Sequence, residues 1–220
     1  MTQNRLPRDL VAALALVVAW TALPPTAHAE LEPGWRLRFA VTTIDFDSDR
    51  RAGSGFNIDI GGGVTVNAEY RFNRRLGLDL GLLAGGGMDV IGQDATIGVV
   101  DWTVYDTMSV TGLTAGLDIH LTPESRVDLY VCPVVALMQY GALVFEAGPG
   151  GQWTGVDFDE DLAVGAGLGL GVPFGERRSW SFNANLTYLA SSLNGSDHGD
   201  LRTEEDHDLT MFGLGLGYRF

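Results

Sequence analysis

The chain has 220 residues, 45% of them hydrophobic, with 28 acidic residues against 14 basic ones and a net charge of −14. Every basic residue is Arg, and an acidic chain without a basic stripe excludes nucleic acid as a partner. The single cysteine, Cys132, excludes an internal disulfide, so the fold must be stabilised by other means.

In chain order, the first element is a leader. MTQNRLPRDL is short and basic (Arg5, Arg8), VAALALVVAW is a compact apolar run, and TALPPTAHA ends in a small-x-small pattern at Ala27 and Ala29. This is the pattern of a cleaved secretory signal over 1–29, leaving one domain over 30–220. Losing Arg5, Arg8 and Asp9 with it leaves 12 Arg against 27 acidic residues, net −15. No later stretch reaches the ~18 uninterrupted apolar residues of a membrane helix.

The remainder alternates with a period of two. Trp35, Leu37, Phe39 and Val41 share a face opposite Arg36 and Arg38. From 56 to 72 an apolar residue or Gly occupies every even position, which predicts one long strand with an oily face and a wet one. Leu76, Leu78, Leu80, Leu82 and Ala84 continue the pattern, with Leu83 as the exception. Further segments carry Leu113 to Leu121, Val127 to Leu137, Leu162 to Phe174, Trp180 to Tyr188 and Thr210 to Phe220. Eight such segments, with no helical period, predict an all-β chain: an eight-stranded antiparallel up-and-down transmembrane β-barrel. The links NRR, PES and GERR are tight, whereas 45–55, 88–106, 145–158 and 190–208 are long. Short turns at a periplasmic rim and long loops at an outer rim are the layout of an outer-membrane barrel.

The same alternation fits a soluble barrel that binds an apolar ligand inside, and three features favour the membrane. Aromatic residues (Trp35, Tyr70, Phe72, Phe174, Trp180, Tyr218, Phe220) gather near one expected rim, as in an interfacial girdle. Gly is concentrated on the polar faces (61 and 63; 77, 81, 85 and 87; 165, 167, 169 and 171; 213, 215 and 217), where a narrow lumen needs space for large neighbours such as Tyr130. The chain ends in MFGLGLGYRF, with Phe212, Leu214, Leu216, Tyr218 and Phe220 in alternation. That ending resembles the terminal signature of outer-membrane barrels, which implies delivery to the barrel-assembly machinery.

The segments LTAGLDIHLTPESRVDLYVCPVVAL and DLAVGAGLGLGVPFGERRSWSFNANLTYL, with the last strand, resemble the small outer-membrane barrels of the outer membrane protein W family and the OmpA-like transmembrane domain. The resemblance covers about the C-terminal half of the mature chain. It implies a barrel of the Gram-negative outer membrane that passes or binds small hydrophobic solutes and contacts outer-membrane lipid. The chain departs from the pattern at Cys132-Pro133. Pro133 has no N–H for the ladder, so a bulge or local distortion is expected there.

Lumen-facing positions collect Arg36, Arg38, Arg71 and Arg219 with Asp59, Glu69, Asp79, Asp118 and Asp128. Buried charges are tolerable when paired, so these residues are expected to form a network that plugs the lumen, with a narrow polar path as the alternative. General diffusion is excluded by the width of an eight-stranded lumen. Two acidic runs at the outer rim, Asp45, Asp47, Asp49 and Asp157, Asp159, Asp161, could offer oxygens to a divalent cation, although neither has the pattern of a calcium loop. His198 and His207 lie among acids in the last loop and fix no zinc geometry. His120 is a rim or lumen residue with no Ser placed for catalysis, and Cys132 is a small packing residue. The chain is therefore expected to be neither an enzyme nor a cofactor binder, and to act as a scaffold or as a conduit for small hydrophobic solutes.

Overall fold

The computed structural model describes residues 33–48, 57–97, 100–123, 125–147, 153–175, 179–196 and 202–220, so the expected leader lies outside the described residues. Among those residues there are twelve strands and no helix: β1 (Gly34–Ser48), β2 (Asn57–Ile58), β3 (Gly61–Arg71), β4 (Leu76–Ile97), β5 (Val100–His120), β6 (Asp128–Tyr140), β7 (Leu143–Ala147), β8 (Trp153–Phe158), β9 (Asp161–Phe174), β10 (Trp180–Ala190), β11 (Ser192–Ser196) and β12 (Arg202–Arg219). Eight of them pair antiparallel in the cycle β1, β3, β4, β5, β6, β9, β10, β12 and back to β1, which closes the sheet. Closure leaves no open edge in the wall from the short turns up to the Ile44↔Gly61 pair of β1 and β3, which a hydrocarbon environment demands.

Alternation sorts the faces. Phe39, Val41, Val64, Leu80, Leu82, Leu113, Leu137, Leu168, Phe182, Phe212 and Leu214 all point outward and are exposed, while the intervening residues line the lumen. A soluble barrel with an apolar ligand cavity requires the opposite facing. The aromatic residues meet at the short-turn rim: Trp35 lies 5.0 Å from Tyr70, Tyr70 5.4 Å from Phe72, Trp180 4.8 Å from Tyr218, and Tyr218 5.1 Å from Phe220. The turns there are local constructions. The Asn73 carboxamide oxygen accepts from the amides of Arg75 (2.8 Å) and Leu76 (3.0 Å), an Asx turn, and Gly175 adopts φ 85° in the β9–β10 turn.

The long loops are largely sheet. β4 and β5 continue as a hairpin through most of 88–106, while β7, β8, β11 and the start of β12 extend the wall at 143–147, 153–158, 192–196 and 202–208. In the β4–β5 hairpin the alternation escapes a reading from sequence because two register shifts interrupt it. Between Gly85 and Met88 the β4–β5 register slips and Gly87 takes φ 70°, so odd residues face inward before the slip and even residues after it.

A similar break corrects the single strand expected over 56–72. β2 and β3 are separated by Asp59 and Ile60, both exposed, and Ile58 on the far side of the break is buried in the lumen. One extra residue reverses the facing of everything beyond it. Pro133 produces a milder effect than a bulge. Pairing of β5 with β6 lapses between Gly116↔Val134 and Ile119↔Val131 without a change of register, and Pro133 stays opposite Ala166 on β9.

Candidate functional site

The lumen has two zones. Toward the outer rim it is packed with apolar side chains: Ile44, Phe46, Ile58, Met88, Val90, Met108, Val110, Met138, Tyr140, Leu143, Val156, Phe158, Leu189, Leu209 and Met211 form one buried cluster. This zone is absent from the sequence-based expectation of a polar lumen throughout: Ile44, Phe46, Met108, Val110, Met138, Tyr140, Leu189, Leu209 and Met211 occupy the inward row of their strands, and the phase shifts at Asp59–Ile60 and Gly85–Met88 add Ile58, Met88 and Val90.

Toward the short-turn rim lies an ionic floor. Arg38 Nη2 donates to Asp79 Oδ1 (2.6 Å) and Asp118 Oδ2 (2.7 Å), and Asn67 Nδ2 donates to Asp79 Oδ2 (2.8 Å). Arg71 bridges Glu69 through Nε (2.7 Å) and Asp128 through Nη2 (2.7 Å), while Arg36 Nη1 lies 3.6 Å from Glu69 Oε2. The Arg38 guanidinium also lies 5.0 Å from the ring centre of Tyr130. Gly169 makes this possible, since a Cβ there would stand 2.0 Å from Tyr130 Cζ; Gly77 likewise clears Glu69, at 2.7 Å from Oε1.

The structure thus brings together Arg36, Arg38, Glu69, Arg71, Asp79, Asp118 and Asp128. Arg219 sits half-buried at the same rim. Asp59 is corrected: it is exposed at the β2–β3 break, where the bulge has turned it away from the lumen. His120, read from sequence only as a rim or lumen residue, is at the centre of the floor. Its Nε2 lies 2.9 Å from Glu69 Oε1, and its Nδ1 lies 3.0 Å from Asp128 Oδ2 and 2.9 Å from Arg71 Nη2. Three guanidinium groups face four carboxylates here, and a protonated imidazole would make the charges equal. The sequence signal was that His120 continues the inward even-numbered row of Asp118 and Gly116.

Above the floor is a cavity of about 80 Å³ lined in part by Arg38, Asp79, Asp118, Tyr130, Asn67 and Thr114. Apolar groups such as Leu83, Val134 and Met211 complete its lining, and it is large enough for a few waters. It is too small for a diffusion pore, and the apolar zone closes it from the outer side.

Glu69, Asp118 and His120 place one donor atom each within 4.8 Å of one another. The set does not fit a metal centre, because Glu69 is already paired with Arg36 and Arg71, Asp118 with Arg38, and both imidazole nitrogens are engaged. Of the weaker metal candidates, Asp161 is held by Ser191 Oγ (2.8 Å), Ser192 N (3.0 Å) and Ser192 Oγ (3.1 Å). Asp157 and Asp159 are exposed nearby on the outer side, and Asp45 is exposed at the outer part of β1. The Asp47 and His207 side chains, and all of Asp49 and His198, lie outside the described residues. Cys132 is buried beside Gly116, where a Cβ would meet its Sγ at 2.4 Å.

A closed barrel of eight antiparallel strands, oily outside, girdled by aromatics at one rim and filled within, is a transmembrane protein of the outer-membrane class. The chain belongs to the outer membrane protein beta-barrel domain family, which matches residues 11–220. Its location is accordingly the outer membrane of Gram-negative bacteria. It is similar to the outer membrane protein OprG from Pseudomonas aeruginosa (14% identity, 86% of this chain and 96% of that one, TM-score 0.62). It is also similar to the outer membrane protein AlkL as solved in DMPC bilayers (16%, 90% and 94%, 0.57) and to Neisserial surface protein A (13%, 84% and 97%, 0.53). At these identities the likeness is one of fold. No curated protein matches the sequence.

Proposed function

We propose that the barrel admits small hydrophobic solutes to the outer, apolar half of its lumen through the wall between β1 and β2, and that it performs no catalysis. The observation that carries this reading is a break in the wall. β1 pairs with β3 only as far as Ile44↔Gly61, and among the described residues its outer end to Ser48 pairs with β12 alone; β2 pairs only with β4. Behind the break sit Phe46, Ile58 and Met88. The cluster contains four methionines, Met88, Met108, Met138 and Met211, whose unbranched chains repack around an apolar guest more readily than branched ones. The ionic floor closes the other end, so exchange is with the outer leaflet and outer rim. His120 supports the non-catalytic reading, being enclosed in the lumen away from any acyl chain at the lipid boundary. The outward row Phe212, Leu214, Leu216, Tyr218 and Phe220 on the last strand and its end serves delivery to the barrel-assembly machinery, and export uses the leader.

The test is uptake of N-phenyl-naphthylamine by intact cells. Cells making the barrel take up the probe faster than cells without it, and Ile58→Asp, checked for the same heat-dependent gel migration, returns uptake to the background. Equal uptake in all three would reject the conduit and leave a structural role, which the close packing of the apolar zone favours.

A further inference from the structure

Charge is distributed unevenly between the two rims. The short turns joining β3 to β4, β5 to β6 and β9 to β10 contain Arg74, Arg75, Arg126, Arg177 and Arg178 against Glu124 and Glu176. The outer segments 45–59, 85–110, 140–161 and 190–208 contain 19 acidic residues against Arg50, Arg51 and Arg202. Arg75 and Arg126 are exposed. They stand beside outward apolar side chains, Phe72 in one turn and Leu121 and Val127 in the other, and at the same rim as the exposed Trp35 and Trp180. The guanidinium groups therefore lie at headgroup depth, next to aromatic residues that mark the membrane interface.

We propose that the short-turn rim is a binding surface for anionic phospholipid headgroups, with Arg75 and Arg126 pairing to the phosphates. Guanidinium presents two parallel N–H donors to a phosphate, and an Arg near a membrane surface is attracted to anionic lipid. The leaflet this rim meets is the periplasmic one, made of phospholipid. The acidic outer segments repel phosphate, so the preference for anionic phospholipid belongs to the short-turn rim. The surface selects phosphatidylglycerol over phosphatidylcholine, since both have a phosphate but only the former carries net negative charge.

Lipid preference can be read from tryptophan quenching in the full barrel. With Trp102, Trp153 and, in any chain retaining the leader, Trp20 replaced by Phe, the emission comes from Trp35 and Trp180 at this rim. The barrel is reconstituted in equimolar mixtures of the two lipids with bromine on the acyl chains of one or the other. Brominated phosphatidylglycerol should quench more, corresponding to a relative binding constant of about two to five, and R75Q/R126Q should bring it close to one. Raising salt to about 1 M should erase the preference in the protein with both arginines, which tests the same pairing without a substitution. A relative constant near one before substitution overturns the proposal. So does a preference that survives both the substitution and the salt.

Discussion

Placing Arg at Val64 tests the facing of the whole barrel. Val64 points outward on β3 with 52% of its surface exposed, between Val41 on β1 and Ala84 on β4. It lies six residues from Tyr70 at the aromatic rim. With a rise of ~3.4 Å per residue and a tilt of ~40°, it stands ~15 Å above that rim, close to the middle of a ~25 Å apolar band. Arg at that depth costs ~2–4 kcal/mol, with snorkelling to either interface at its least effective. Thr65, its neighbour, is half-buried on the lumen face. Thr65→Ser keeps the hydroxyl and should change stability by ~0.5 kcal/mol or less. The assay is urea unfolding of barrel reconstituted in vesicles, following the fast-migrating form on unheated gels. A Val64→Arg barrel as resistant to urea as the parent, with Thr65→Ser markedly weaker, would refute the outward facing of the even-numbered positions of β3.

In the same assay, Gly169→Ala should cost ~1–3 kcal/mol, because its Cβ would stand 2.0 Å from Tyr130 Cζ. Adding Tyr130→Ala should make the second change cheaper than it is alone; strict additivity would show that the two do not share space. Arg38→Met leaves Asp79 and Asp118 without their shared guanidinium and should cost ~3–5 kcal/mol, with Asp79→Asn and Asp118→Asn together recovering part of the loss. If the single change is neutral, the ionic floor does not stabilise the barrel. Deleting Phe220 removes the last exposed aromatic at the rim, 5.1 Å from Tyr218, and should lower the amount of heat-modifiable barrel in the outer-membrane fraction. An unchanged amount would separate that residue from assembly.

Much of the fold is legible in the sequence because a strand in a closed wall obeys a strict rule: its side chains alternate between two different solvents. Eight alternating segments, a Gly-rich inner row, aromatics gathered at the ends and three tight turns suffice to give the number of strands, the facing of residues such as Phe39 and Val64, and the pairing partners of Arg38 and Arg71 as a set. Alternation is a local property, however, and it carries no information across a break in phase. The extra residue at Asp59–Ile60 and the slip at Gly85–Met88 each reverse the facing of the residues on the outer side of the break. Only the three-dimensional structure therefore reveals that Ile58, Met88 and Val90 turn inward and join the apolar cluster in the outer half of the lumen, while Asp59 turns out. The place of His120 was hidden for a related reason. Its partners Glu69 and Asp128 come from strands on either side of its own hairpin, and only the register of β3, β4, β5 and β6 brings them to within 3.1 Å of its ring. Composition and period determined the wall by themselves; what the wall encloses was decided by register and bulges, which are properties of neighbouring strands rather than of any one segment.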